Sequence, residues 1–145
     1  ANQIAATNNS VIAIQQKLFS RSNLNFLFIN KQATKDYAFL NPEDKYNRVI
    51  GVDYNLASKD NTWNGRYFIH KSFSPTTSGK DISAGVSTEY NSRDFKIRLS
   101  GVYIEDNYRA DLGFVRRTDI IKINPKFEYT IYPKKGNVNK HRLWS

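Results

Sequence analysis

Apolar and polar residues alternate along most of the chain with a period of two, the spacing at which successive side chains of a β-strand leave opposite faces. The alternation recurs in segments of about ten residues, roughly the length a tilted strand needs to cross a bilayer. It predicts seven strands and the start of an eighth. The first runs from about Ser10 to Phe19, with Ile12, Ile14 and Leu18 on one face, and the second, Asn23 to Asn30, carries Leu24, Phe26 and Phe28. The third, Arg48 to Ala57, sets Ile50, Val52, Tyr54 and Leu56 against Val49, Gly51, Asp53 and Asn55. In the fourth, Thr62 to Phe73, Trp63, Tyr67, Ile69 and Phe73 oppose Asn64, Arg66, His70 and Ser72. The fifth, Ile82 to Tyr90, alternates Ile82, Ala84 and Val86 with Ser83, Gly85 and Ser87, and the sixth places Phe95, Ile97, Leu99 and Tyr103 opposite Lys96, Arg98 and Ser100. The seventh, Ile120 to Tyr132, places Ile121, Ile123, Phe127 and Tyr129 opposite Lys122, Asn124, Lys126 and Glu128. Pro125 interrupts that strand's run of N–H donors, so it is expected where a ladder bond is absent or bulged.

The connections alternate too. They are short after strands one, three and five, and long after strands two, four and six, where they run from about Lys31 to Asn47, Ser74 to Asp81 and Glu105 to Asp119. Consecutive antiparallel strands place alternate connections at opposite ends, so the tight turns share one rim and the long loops the other. Outer-membrane barrels have this layout; a soluble up-and-down barrel or a β-sandwich can have it as well. In a membrane barrel the apolar face points outward between aromatic girdles and the polar face lines a wet lumen. Trp63 with Phe73, and Phe95 with Tyr103, bracket their strands as girdle pairs would. In an ordinary half-buried sheet the polar face is simply the solvent side. Alternation alone leaves both readings open.

Composition narrows the function classes more than the fold. With 145 residues, 39% of them apolar and 24% charged, the chain is long enough for one core, and a single β domain over residues 1–145 is expected. The nine Tyr, nine Phe and two Trp stand among β-branched neighbours, which favours strands. The absence of Cys removes disulfides and thiolate metal sites, and no apolar run is long enough for a membrane-spanning helix. A formal charge of +9 permits attraction to anions. The cations are spread along strands and loops, however, with one cluster at Lys134, Lys135, Lys140, His141 and Arg142, so nucleic acid is disfavoured as a partner.

The segment from Asp106 through Tyr108, Arg109, Ala110 and Asp111 to Gly113-Phe114-Val115-Arg116-Arg117-Thr118-Asp119 breaks the tie. It resembles a motif of a poorly characterised family of Gram-negative outer-membrane proteins, in which a domain similar to family-9 carbohydrate-binding modules precedes a carboxy-terminal β-barrel. In that motif an acidic or Asn-rich segment leads to Gly-Phe-Val-x-Arg, often with Pro where Ala110 stands. Phe28 to Thr34, and Asn47-Arg48 with Gly51 and Asp53, look like two further landmarks of the same family. The resemblance covers residues 10 to 135 and implies the early part of a larger barrel in the outer membrane of a Gram-negative bacterium. It also implies a transport or surface-binding role with a saccharide among the candidate ligands, and a lipid bilayer or detergent as partner. Open strand edges would invite self-association. The alternative is a soluble β-sandwich or lipocalin-like binding module.

Candidate chemistry is sparse. His70 and His141 lie on different predicted strands without zinc spacing, so no metal site is expected. Glu105, Asp106, Asn107 and Asp111 gather oxygen ligands, but without the spacing or central Gly of a calcium loop. Asp81 and Glu89 are conceivable partners in acid–base chemistry. No nucleophile elbow surrounds any Ser and no Gly-rich phosphate loop exists, so neither catalysis nor a cofactor is expected. Phe114, Arg116, Arg117 and Asp119 remain as loop candidates for ligand binding, the two arginines because an Arg pair suits a carboxylate or phosphate. Against that stands a structural role in salt bridges to neighbouring strands.

Overall fold

The fold is seen in a computed structural model that describes residues 4–113, 115–132 and 141–144. Its strands are β1 (Thr7–Leu18), β2 (Ser22–Ala33), β3 (Tyr46–Ala57), β4 (Trp63–Phe73), β5 (Ile82–Asn91), β6 (Phe95–Ile104), β7 (Ile120–Ile131) and β8 (His141–Trp144), with one short 3-10 turn at Pro42–Asp44. They form one eight-stranded antiparallel sheet in sequence order. β1 pairs only with β2 and β8 only with β7, so the sheet is not closed among the described residues. The all-β, up-and-down meander read from the alternation is the observed architecture, and its eighth strand begins at His141. Lys134, Lys135 and Lys140 lie outside the described residues.

Register explains why the alternation was so regular. Because side chains directly opposite share a face, the pairs Ile12↔Phe28, Phe28↔Ile50, Val52↔Ile69, Ile69↔Ala84, Tyr90↔Ile97 and Ile97↔Phe127 join the apolar positions of β1 through β7 into one continuous surface. A slip of one residue in any strand would turn its apolar set to the other side.

Pro125 fits this ladder without a bulge. The Thr130 N–H donates to the Asp94 carbonyl across the start of the β6–β7 hairpin. Bonded and non-bonded pairs alternate from there, which makes Leu99↔Pro125 a non-bonded pair that asks β7 for no N–H.

Burial is inverted relative to a water-soluble sheet. On the apolar face Ile14 is 61% exposed, Ile69 55%, Leu99 49% and Ile123 69%. On the other face the buried residues are chiefly polar: Asn47, Asp53, Ser72 and Ser83, with Val49 among them. The loop residue Tyr108 packs beside them and is also buried. A sheet folding for water would place its Ile and Phe where these Asn, Ser and Asp residues sit.

The rims differ as the loop lengths foretold. At one end lie the tight turns. In the β3–β4 turn the Asp60 carboxylate accepts from both the Ser58 and Thr62 hydroxyls at 2.6 Å, and Asn61 takes the left-handed backbone at φ 60. At the other end lie the longer connections between β2 and β3, β4 and β5, and β6 and β7; the Ala33 N–H to the Lys45 carbonyl and the Ser72 N–H to Asp81 each close one of them, and the Asn107 N–H to Lys80 joins two.

Candidate functional site

The polar face is organised around β3 and β4. Asp53 stands opposite Phe68, so the residues two positions to either side of Phe68 are its diagonal neighbours. Its carboxylate takes both: Arg66 at 2.9 Å through one oxygen and His70 Nε2 at 3.1 Å through the other. The imidazole can lie there because its cross-strand partner is Gly51; a Cβ at that position would stand 2.3 Å from His70 Cδ2. Gly85 does the same for Phe68, whose ring edge occupies the place where a Cβ would go. Farther along, Asn23 Oδ1 accepts from Asn55 at 2.8 Å and from Asn25 at 3.1 Å. On β5 and β6 Glu89 holds Lys96 at 2.9 Å and also Arg98.

Onto this surface folds the connection between β6 and β7. It turns back over β2, β3 and β4, and three strand side chains hold it. Asn47 donates to the Arg109 carbonyl at 3.0 Å and accepts the Asp111 N–H at 2.9 Å. The Ser72 hydroxyl accepts the Arg109 N–H at 3.1 Å, and Lys31 reaches Asp111 at 2.8 Å. Ser74, just past β4, lies within hydrogen-bond distance of Asn47. The Arg109 guanidinium bonds Asp111, Asp44 and the Glu43 carbonyl, tying two long loops to each other. Tyr108 is buried beneath, and that burial, with the Asp53 charge nearby, pushes its phenol above the usual tyrosine range.

This latch carries a pH dependence. The hydrogen bond from Arg109 holds the Asp44 carboxyl below its ordinary value near 3.8, against a partial cost of burial. A carboxyl depressed in the folded state contributes stability that is fully present above its unfolded pKa and is lost as pH falls through the folded one. Amide protection in residues 105–113, taken relative to the intrinsic exchange rate at each pH, is therefore expected to fall as pH drops below about 4, and Asp44→Asn should flatten that fall. An unchanged pH profile in the variant would remove Asp44 from the latch.

Three of the four loop candidates from the sequence make no bond to this latch among the described residues. Arg116, Arg117 and Asp119 lie on the exposed outgoing leg of the β6–β7 connection, Asp119 with a left-handed backbone at φ 53. Phe114 lies outside the described residues. Tying the loop to the strands falls to Arg109 and Asp111, which the periodicity gave no reason to single out. The hint that existed was the clustering of family landmarks, since Asn47 of one and Arg109-Ala110-Asp111 of another meet here.

Other candidate chemistry is accounted for by neighbouring groups. Glu105 accepts the Ile82 N–H at 2.8 Å and the Tyr103 hydroxyl at 3.0 Å, and Asn107 donates to the Gly79 carbonyl. Among the described residues no three His, Asp or Glu side chains converge as a metal site. Asp81 pairs with Lys71 at the long-loop rim, whereas Glu89 sits at the far end of β5. That strand separates the two by roughly 26 Å at about 3.3 Å per residue, too far to share one bond.

The apolar face has its own geometry. A shallow hollow of about 420 Å³ runs between Ile12, Ile14, Phe26, Phe28, Ile50 and Ile69. Toward the tight-turn rim Trp63, Tyr90 and Phe95 form an aromatic row, with ring centroids 4.9 and 5.4 Å apart. Toward the long-loop rim stand Phe73 and Tyr103. Polar groups follow at that end: Arg48 donates to Asn30 at 3.0 Å and Gln32 at 3.1 Å, and Lys71 lies over the Phe73 ring.

A family described as "Domain of unknown function (DUF5916)" has a model that matches residues 3–145. No curated protein and no solved structure gives a match.

Proposed function

Because the chain belongs to the DUF5916 family, whose description leaves its role open, we propose from the geometry that it forms a wall of an outer-membrane β-barrel. Its apolar face would meet lipid and its polar face a solvent-filled lumen. The observation that carries this reading is the inverted burial: exposed Ile, Leu and Phe on one face, buried Asn, Asp and Ser on the other. Two features support it. Trp63 and Phe73 end a strand of 11 residues, roughly 33 Å long. Tilted by about 45° it projects to roughly 23 Å, close to the ~25 Å apolar band of such barrels. The β6–β7 loop crosses the polar face, where a barrel's interior would be, and leaves the apolar face uncovered.

On this reading the protein resides in the outer membrane of a Gram-negative bacterium and serves passage or surface binding of a solute. The link to a saccharide rests on the family resemblance alone. The outer edge of β1, 12 residues long, has no strand partner among the described residues and is open to another strand. In isolation the chain is therefore expected to self-associate.

The test uses the two tryptophans, which lie on opposite faces. Trp63 is 46% exposed on the apolar side and Trp144 81% exposed on the polar side. Single-tryptophan chains, Trp144→Phe and Trp63→Phe, are refolded into vesicles whose lipids carry brominated acyl chains. Strong quenching of Trp63 with little quenching of Trp144 is expected. A β-rich monomer in buffer without detergent, with Trp63 unquenched by the vesicles, would overturn the lipid-facing assignment and favour the soluble binding module.

A further inference from the structure

We infer that the polar face of β6, β7 and β8 holds a binding site for a soluble oxyanion, a phosphate or carboxylate group, centred on Arg98 and Lys126. The inference deepens the proposed function by naming the solute class, and it rests on reading this face as open to water.

The register places Arg98 and Lys126 directly opposite each other, in a bonded pair by the same count that settled Pro125. Their Cα atoms are then about 5.5 Å apart. Like charges set directly opposite on a sheet are unfavourable, unless a counter-charge joins them. Of the two nearby carboxylates, Glu89 bonds Lys96 and Arg98 and Glu128 bonds Arg142 at 2.8 Å, so neither joins Arg98 to Lys126. Lys126 has no carboxylate partner among the described residues.

Three strands therefore converge cations, Lys96 and Arg98 from β6, Lys126 from β7 and Arg142 from β8, on two carboxylates. They line a hollow of about 350 Å³ that Trp144 borders. An oxyanion seated between Arg98 and Lys126 would accept charge-assisted hydrogen bonds from both, Arg98 offering Nη1 because its Nε and Nη2 face Glu89. The like-charge contact would become a clamp. At the other end of the sheet Lys17, on the polar side of β1, has no such convergence and serves as the comparison.

Inorganic pyrophosphate is the probe, titrated calorimetrically at fixed ionic strength into the refolded chain in whichever medium keeps it folded. Saturable binding is expected. Arg98→Gln and Lys126→Gln should each weaken it by about tenfold, as loss of one charge-assisted bond would, while Lys17→Gln stays within about twofold. Without ligand, Lys126→Gln should melt no lower than the parent, because it relieves repulsion, and this separates a binding defect from a folding defect. Adding phosphatidylglycerol to the micelles should not compete; competition would assign the site to a lipid headgroup and overturn the soluble ligand. Equal weakening by all three variants, or no saturable binding, would reduce the patch to diffuse attraction and overturn the site. Binding in buffer by a soluble monomer would sink the lipid-facing reading and keep the oxyanion site. Absence of binding in micelles would do the reverse.

Discussion

Replacing Ile69 by Arg should destabilise the chain refolded in a bilayer by about 2–4 kcal/mol, the cost of a cation on the lipid face near the midplane of a transmembrane barrel. Ile69 sits midway along β4 and is 55% exposed. In water such a residue tolerates Arg, and an exposed position away from special features usually changes stability by no more than about 0.5 kcal/mol. The two environments thus give opposite results for the same substitution. Gln15→Arg, on the polar face of β1, introduces the same charge and should be nearly silent in both. Guanidinium unfolding followed through tryptophan fluorescence in vesicles reads the difference. Equal, small effects of the two variants would mean that the apolar face does not meet hydrocarbon.

The second large effect is expected at Asn47. Its side chain is 2% exposed and serves three partners: the Arg109 carbonyl, the Asp111 N–H and Ser74. Asn47→Ala strands the two backbone groups beneath a loop, and each unsatisfied buried group costs about 1–3 kcal/mol. The loss should be local. The sheet ladder does not depend on this residue's side chain, so circular dichroism should stay β-rich while amide exchange at Asp111 accelerates by about a hundredfold, corresponding to roughly 3 kcal/mol. Proteolysis within residues 105–113 should rise in parallel. Unchanged exchange would show that Ser72, Lys31 and Arg109 suffice to hold the loop.

The strands were legible because one physical demand repeats along them: a face that is apolar in every strand can be satisfied in only one register. Ile50, Val52 and Ile69 announce both their strands and their shared side. The rim assignment was legible from loop length alone, since antiparallel order fixes which connections are neighbours. The latch was not. Asn47 reads as an ordinary polar residue at a strand entrance, and its partners Arg109 and Asp111 lie 62 and 64 positions away. Hydrogen bonds of that reach leave no periodic trace. Arg116 and Arg117 drew attention as an adjacent pair, yet their leg of the loop is exposed, whereas Arg109 sits where Asp44 and Asp111 can both reach it. Phe68 was hidden for another reason. It is a large aromatic on the polar side, accommodated only because Gly85 across the strand boundary leaves room for its ring.

Among the described residues every strand of this sheet bonds only to the strands before and after it in the chain. A hairpin can therefore be added or removed at either end without rethreading what remains, and each new hairpin needs only local loop closure, whose entropic cost grows slowly with length. The architecture grows like a fence, panel by panel. Its circumference, and with it the bore of any closed assembly, is set by how many panels a gene carries rather than by a redesign of the panels themselves.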